Sequence, residues 1–370
     1  MKYWIIVLLF GCVETPGFRE ITIKAGRGVG SIESADFNKD GKPDLVVANE
    51  ADSNVTILLN DGNARFKPAQ GGPFFANLNP NDICIADVNK DGIPDLCIAN
   101  TEVSMLTLLL GNGRGQFRQA PTSPYRVNSR PHTHGIAVAD FNGDGNLDMA
   151  TDNWAHNQVL IIFGDTSLHF GHETQYPVGR RPYQRLRAGD VNGDGKADIV
   201  TTNLEGNTVS VLLGNGNGTF RSEEYGAGDA PFGIAIGDVN GDGFPDLAVV
   251  DAPSVTAEST GKDGLWILLG DGKGAFHTMG GSPFATGTGP TRVAIGDLDG
   301  DKINDIAVTN YKDNTITLFY MGKKGVKRAV TLPVGKHPDG ICIMDLNGDG
   351  KNDIAVGNQD DGTVTLLLQR

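Results

Sequence analysis

The chain has 370 residues, 39% of them hydrophobic, with 51 Gly and no long runs of helix-favouring residues, so it has ample material for a core and reads as turn-rich β structure. A formal charge of -14 taken by itself argues against nucleic acid and anionic membrane surfaces as partners, although the acids are not spread evenly.

The chain opens MKYWIIVLLFGC, with one Lys, an apolar run from Tyr3 to Phe10, then Gly11 and Cys12. Eight apolar residues cannot span a bilayer, so residues 1–12 read as an export signal. Leu9-Phe10-Gly11-Cys12 resembles a bacterial lipoprotein processing box, which implies lipidation of Cys12 and an envelope or cell-surface location. In that case the membrane is reached only through the anchor. The alternatives are an ordinary secretion signal or a misassigned start. Residues 13–17 form a short linker, and the folded unit is expected over residues 18–370.

Residues 36–44 read DFNKDGKPD, with Asp36, Asn38 and Asp40 at alternate positions, Gly41 at the sixth place and Asp44 at the ninth. The pattern recurs along the chain. The second copy holds Asp87, Asn89, Asp91 and Asp95, and the third Asp140, Asn142, Asp144 and Asp148. Asp190, Asn192, Asp194 and Asp198 form the fourth, and Asp238, Asn240, Asp242 and Asp246 the fifth. The sixth has Asp297, Asp299, Asp301 and Asp305, and the seventh Asp345, Asn347, Asp349 and Asp353. The copies lie roughly 50 residues apart, a period that fits propeller blades better than separate domains.

Each copy follows an alternating apolar segment, often led by Pro seven residues before the first acid, as at Pro80, Pro231, Pro290 and Pro338. After it come a short apolar run such as LVVAN, a polar turn, a second run such as VTILLN, and a Gly-rich turn ending in Phe. That gives four short strands per unit. A sheet apolar on both faces is covered by radial stacking, so seven units predict one all-β, seven-bladed propeller of four-stranded blades. Small residues (Ala137, Ala235, Ala294 and the pair Cys84 and Cys97) suit the crowded axis. The last unit ends at TVTLLLQR without a fourth strand, and the segment from Phe18 to Ile23 matches the missing element. The N-terminal strand is therefore expected to complete the seventh blade and remove the open edges.

Alternate carboxylates with Gly at the sixth place offer hard oxygen ligands that suit Ca²⁺ at the first, third, fifth and ninth places. An EF-hand would need Glu at the twelfth place, which here holds Val47, Ile98, Thr151, Thr201, Val249, Val308 and Val356. These are β-hairpin loops instead. Seven Ca²⁺ would carry fourteen positive charges and cancel the formal -14. The sixth copy has Lys302 where the others have Gly, at a cost of about 1 kcal/mol in a left-handed turn, and is expected to be the weakest site.

Cys84, Cys97 and Cys342 are odd in number and imply no disulfide framework. Symmetric pairing of the strands around the second loop sets Cys97 opposite Ile85 and Cys84 opposite Ile98, which sends the thiols to opposite faces as buried free cysteines.

The D-x-N-x-D-G-x-x-D loops, the Gly-x-Gly-x-Phe turns and the unit length resemble the FG-GAP or VCBS repeats of bacterial surface proteins and the calcium-binding blades of integrin α-subunit propellers. The resemblance covers about Phe18 to Arg370. It implies Ca²⁺ at the matching Asp and Asn positions, and a function ranging from adhesion module or lectin to lyase.

If the acidic loops occupy one face, the leading loops and those between second and third strands occupy the other. There the third unit has Arg130-Pro131-His132-Thr133-His134 and Asp152-Asn153-Trp154-Ala155-His156, and the fourth has Arg180 to Arg187. His132, His134, Trp154, His156, Arg181, Tyr183 and Arg185 are the candidate ligand-binding residues, combining stacking rings with carboxylate-binding cations. The opposing reading is a set of ordinary solvated loops, and the three His would also suit a transition metal. The Ser, Thr and Gly-rich insertion from Asp251 to Gly264 is expected to be a mobile loop.

The favoured function is a calcium-stabilised extracytoplasmic module that binds a glycan or a protein and is not an enzyme. One alternative is a polysaccharide lyase, with Tyr183 or His134 as base, His156 as acid and Arg185 neutralising a uronate. The other is a purely structural module.

Overall fold

A computed structural model describes residues 14–15, 17–255 and 261–370. The expected export signal and Cys12 lie outside the described residues, as do residues 256–260 of the fifth-unit insertion. Among the described residues no helix is long and apolar enough to cross a membrane.

The described residues form seven antiparallel sheets; the first six are ordered as they run in sequence, and the seventh takes its outer strand from the start of the chain. The fourth blade is representative: Pro182–Gly189 is innermost, followed outward by Asp198–Asn203, Thr208–Gly214 and Phe220–Gly226. Inner strands of successive blades touch around the ring, and Pro338–Met344 of the seventh meets Val29–Ala35 of the first. The second strands are buried along their whole length, because blades cover both of their faces. In the first, second and fifth blades the outer strand is a short segment such as Phe66–Pro68 or Phe117–Gln119.

The ring closes as expected. Phe18–Lys24 pairs with Thr363–Gln369 from Phe18 opposite Gln369 to Lys24 opposite Thr363, so the two ends of the chain share the seventh blade. Phe18 itself is buried there.

Register around the acidic loops departs from the symmetric pairing by one residue. Ala86 pairs with Asp95, so Cys84 lies directly opposite Cys97 and the two thiols share a face. The ninth acid causes this shift. It is the first residue of the second strand, and its side chain turns back to hold the loop. The Asp95 carboxylate accepts N–H bonds from Val88 at 3.1 Å and from Gly111, on the third strand, at 2.9 Å. All three cysteines are nonetheless free.

Two recurring features were not read from the pattern. The residue after each first acid (Phe37, Val88, Phe141, Val191, Val239, Leu298, Leu346) is buried and plugs the space between blades. In three copies its carbonyl accepts a bond from the next blade's turn: Gly115 N to Phe37 O at 2.9 Å, Gly218 N to Phe141 O at 2.9 Å and Ala64 N to Leu346 O at 3.2 Å. At Gly115 the left-handed φ of 73° and the Leu59 side chain, 2.7 Å from where a Cβ would sit, leave room only for glycine. The Asn ending the second strand is likewise buried in the first, second, third, fourth, sixth and seventh blades, as Asn49, Asn100, Asn153, Asn203, Asn310 and Asn358. Asn203 Nδ2, for example, donates to Thr208 and Ser210 on the third strand.

The described ends of the fifth-unit insertion are tied down. Ser254 N donates to Asp263 at 3.0 Å, and Lys312 Nζ contacts Ser254 O.

Candidate functional site

The acidic loops share one backbone design. The sixth place is left-handed in every copy, with φ between 69° at Lys302 and 91° at Gly243. That turn aims loop amides at the acids: Asp36 accepts from Asp40 N at 3.0 Å and Gly41 N at 2.8 Å, and Asp40 from Lys42 N at 3.1 Å. The ninth acids are fully buried, and burial pushes Asp44, Asp95, Asp148, Asp246, Asp305 and Asp353 up to about 6, with two backbone N–H bonds to each pulling the other way. Asp198 is raised for the same reason.

In the sixth loop Asp297, Asp299 and Asp305 each offer one carboxylate oxygen, all within 4.8 Å of one another. Such a set of hard donors fits Ca²⁺. The fifth-place acid there is occupied differently: Lys327 Nζ pairs with Asp301 and holds its carboxyl below the usual range.

Opposite these loops, the third and fourth blades assemble an aromatic and cationic cluster. Asp152, next to the end of the second strand, organises it. One oxygen accepts N–H bonds from His134 at 2.8 Å and Gly135 at 3.0 Å, and the other lies 2.9 Å from His134 Nδ1. His134 is thereby buried at 1% exposure, with Nε2 3.1 Å from Nε2 of the part-exposed His132. Burial lowers the pKa of His132, and the neighbouring His134 adds to this. The Tyr183 ring lies 4.2 Å from His134 and 5.7 Å from Trp154. Arg181 stacks its guanidinium 4.1 Å over Trp154, a cation–π contact steadied by the Glu205 carboxylate.

Five of the seven candidate residues thus meet: His132, His134, Trp154, Arg181 and Tyr183. His156 sits exposed on the rim, its Nδ1 3.1 Å from Asn153 Oδ1. Arg185 does not join the face. Its guanidinium is buried against Asp82 of the second blade, on a stretch where the strand register is irregular between Pro182 and Leu186. Asp82 and Glu205 do not stand out in the sequence, and Asp152 stands there only as a member of its loop, since each acts on a residue in another strand or blade and belongs to no repeated motif.

A second polar network lies across the ring. Glu50 accepts from Asn81 Nδ2 at 2.7 Å and Gln359 Nε2 at 3.3 Å, while Tyr311 donates to Gln359 Oε1 at 2.6 Å. Burial, then the charge of Asp339, raises Glu50 to about 7. A carboxyl raised on folding binds more protons folded than unfolded. Its contribution is therefore fully present below about 4.5 and lost as pH rises through 7. Glu50→Gln is expected to flatten the pH dependence of stability across that window and to gain on the order of 1 to 2 kcal/mol at pH 8. Urea denaturation at pH 4.5 and pH 8 measures it; a variant that keeps the wild-type slope would show that another group sets it.

A family model described as FG-GAP-like repeat matches residues 36–98, 87–151, 190–249, 255–308 and 297–356. No curated protein matches. Among solved structures, BBS1N in complex with ARL6DN, soaked with lead, is similar at 12% identity and a TM-score of 0.61, with 93% of this chain and 94% of that chain covered. The hydrazine synthase of Kuenenia stuttgartiensis is similar at 12% identity and a TM-score of 0.61, with 99% of each chain covered. At such identity these two speak to the fold alone. The repeat matches span most of the propeller and take in acidic loops from all seven blades, and the chain belongs to the FG-GAP repeat family.

Proposed function

We propose that the protein is a calcium-stabilised binding propeller, exported and held at the cell surface through a lipid on Cys12, that recognises a glycan or a protein with the third- and fourth-blade face. The observation that carries this reading is the Trp154, Tyr183 and Arg181 cluster. It offers stacking surface and a positive charge on one rigid patch. Two aromatic planes at 67° suit a ring-shaped or side-chain anchor better than a flat partner.

A glycan and protein array, read with wild type and Trp154→Ala and run beside an assay for unsaturated product, tests it. Binding that falls at least tenfold in the variant is the expected result. Silence of the wild type across the array would leave a structural module, and product formation abolished by Tyr183→Phe would make the protein a lyase.

Calcium would be held by the first-, third-, fifth- and ninth-place residues of the acidic loops. Each occupied site is expected to contribute about 2.7 kcal/mol when free Ca²⁺ stands at 100 times its Kd. Thermal unfolding in Ca²⁺ and in chelator measures this, and an indifferent Tm would sink it. In a titration the sixth site should fill last, because Lys302 replaces Gly and Lys327 holds Asp301.

A further inference from the structure

We propose that His132 and His134 form a two-imidazole site for one borderline divalent transition-metal ion of the Cu²⁺, Ni²⁺ or Zn²⁺ kind, oriented by Asp152. The site is separate from the acidic loops and lies on the opposite face of the disc. It shares residues with the ligand face proposed above but rests on its own geometry.

Three observations carry it. The two Nε2 atoms are 3.1 Å apart. If each bonded an ion at about 2.05 Å, they would subtend about 98° there, between the square and tetrahedral angles. The second is the Asp152 carboxylate, 2.9 Å from His134 Nδ1. With Nδ1 protonated and donating to Asp152, His134 presents the Nε2 lone pair toward His132, the arrangement in which an outer carboxylate sets the tautomer and basicity of a metal-bound imidazole. The third is access: His134 is buried, whereas His132 is part-exposed beside Trp154, so an ion can enter from the His132 side without opening the fold.

Without an ion, His132 Nε2–H donates to His134 Nε2. Binding moves that proton to His132 Nδ1, which frees the second lone pair without net proton release. Imidazole nitrogen selects the borderline ions over Ca²⁺, so the two kinds of site do not compete. Two protein nitrogens leave further coordination positions for water or for a hydroxyl or carboxylate oxygen of a ligand lying against Trp154 and Tyr183.

The full chain, saturated with Ca²⁺ to occupy the hard-oxygen sites, is titrated with Cu²⁺ and followed by electron paramagnetic resonance. The expected result is one ion per chain, its spectrum split by two nitrogens. His132→Gln, at a part-exposed position, should lose one nitrogen splitting and at least tenfold in affinity. Asp152→Asn, confirmed folded by circular dichroism, should weaken binding 10- to 100-fold. His156→Gln, on the rim but outside the pair, should change neither. A spectrum without two-nitrogen splitting, or one unchanged by His132→Gln, overturns the site. That failure would leave the ligand face standing, because the array is read without added transition metal.

Discussion

Asp246→Ala should cost about 4 kcal/mol of stability in chelator, whereas Asp238→Ala, at the first place of the same loop, should cost about 1 kcal/mol. The two acids look alike in sequence but sit differently. Asp246 is fully buried; its two oxygens accept N–H bonds from Val239 at 3.0 Å and Gly270 at 2.9 Å, joining the loop, the second strand and the third. Alanine leaves both amides buried without an acceptor, at about 1 to 3 kcal/mol each, and adds a small void. Asp238 bonds amides of its own loop, where water can replace it. In Ca²⁺ both variants should lose more than in chelator, since the first- and ninth-place acids are both proposed metal ligands. Urea denaturation of both variants, with and without chelator, separates a scaffold role from a ligand role. Equal losses in chelator would refute the distinction.

The same contrast explains what could be read from the sequence. Blade number and ring closure were legible because both are repeat properties: seven acidic loops count the blades, and the lone strand from Phe18 answers the missing fourth strand after Gln369. Register was not. A ninth-place Asp in a loop motif reads as a loop residue, yet it belongs to the ladder, and that one step sets Cys84 against Cys97. The aromatic and cationic cluster was half legible. Trp154, Tyr183 and Arg181 stand out because they break the repeat, but the carboxylates that fix them do not. Asp152 acts on His134 across 18 residues and Glu205 on Arg181 across 24, separations that only the paired strands and neighbouring blades bring together. Arg185 was assigned to the face because loop numbering cannot say which way an inner-strand side chain turns.

Asp82→Asn is expected to destabilise the protein by about 3 to 5 kcal/mol and to abolish any binding at the proposed ligand face. Asp82 is fully buried on the inner strand of the second blade and contacts three partners: the Arg185 guanidinium, Arg187 Nη1 at 3.2 Å and Ile136 N at 3.1 Å. Ile136 belongs to the third blade and both arginines to the fourth, so one carboxylate ties three blades at the axis. Removing its charge strands the Arg185 guanidinium, 2% exposed, in a site without a counter-charge, which is the expensive way to break a buried pair. Replacing both members, as in Asp82→Leu with Arg185→Met, should recover part of the loss, because the buried Arg185 charge is then gone while Ile136 N and the part-exposed Arg187 still lose their partner. Arg185 and Tyr183 sit two residues apart on the strand Pro182–Gly189, which brings Tyr183 to the proposed ligand face. Loss of the ion pair therefore loosens the strand that sets Tyr183 against His134 and Trp154. The double variant should fold yet bind more weakly than wild type, since apolar packing holds the strand with less directional control. Stability by urea denaturation and affinity on the array are read from the same three proteins. If Asp82→Asn kept wild-type stability, or the double variant were no better than the single, the pair would not be what couples the axis to the face.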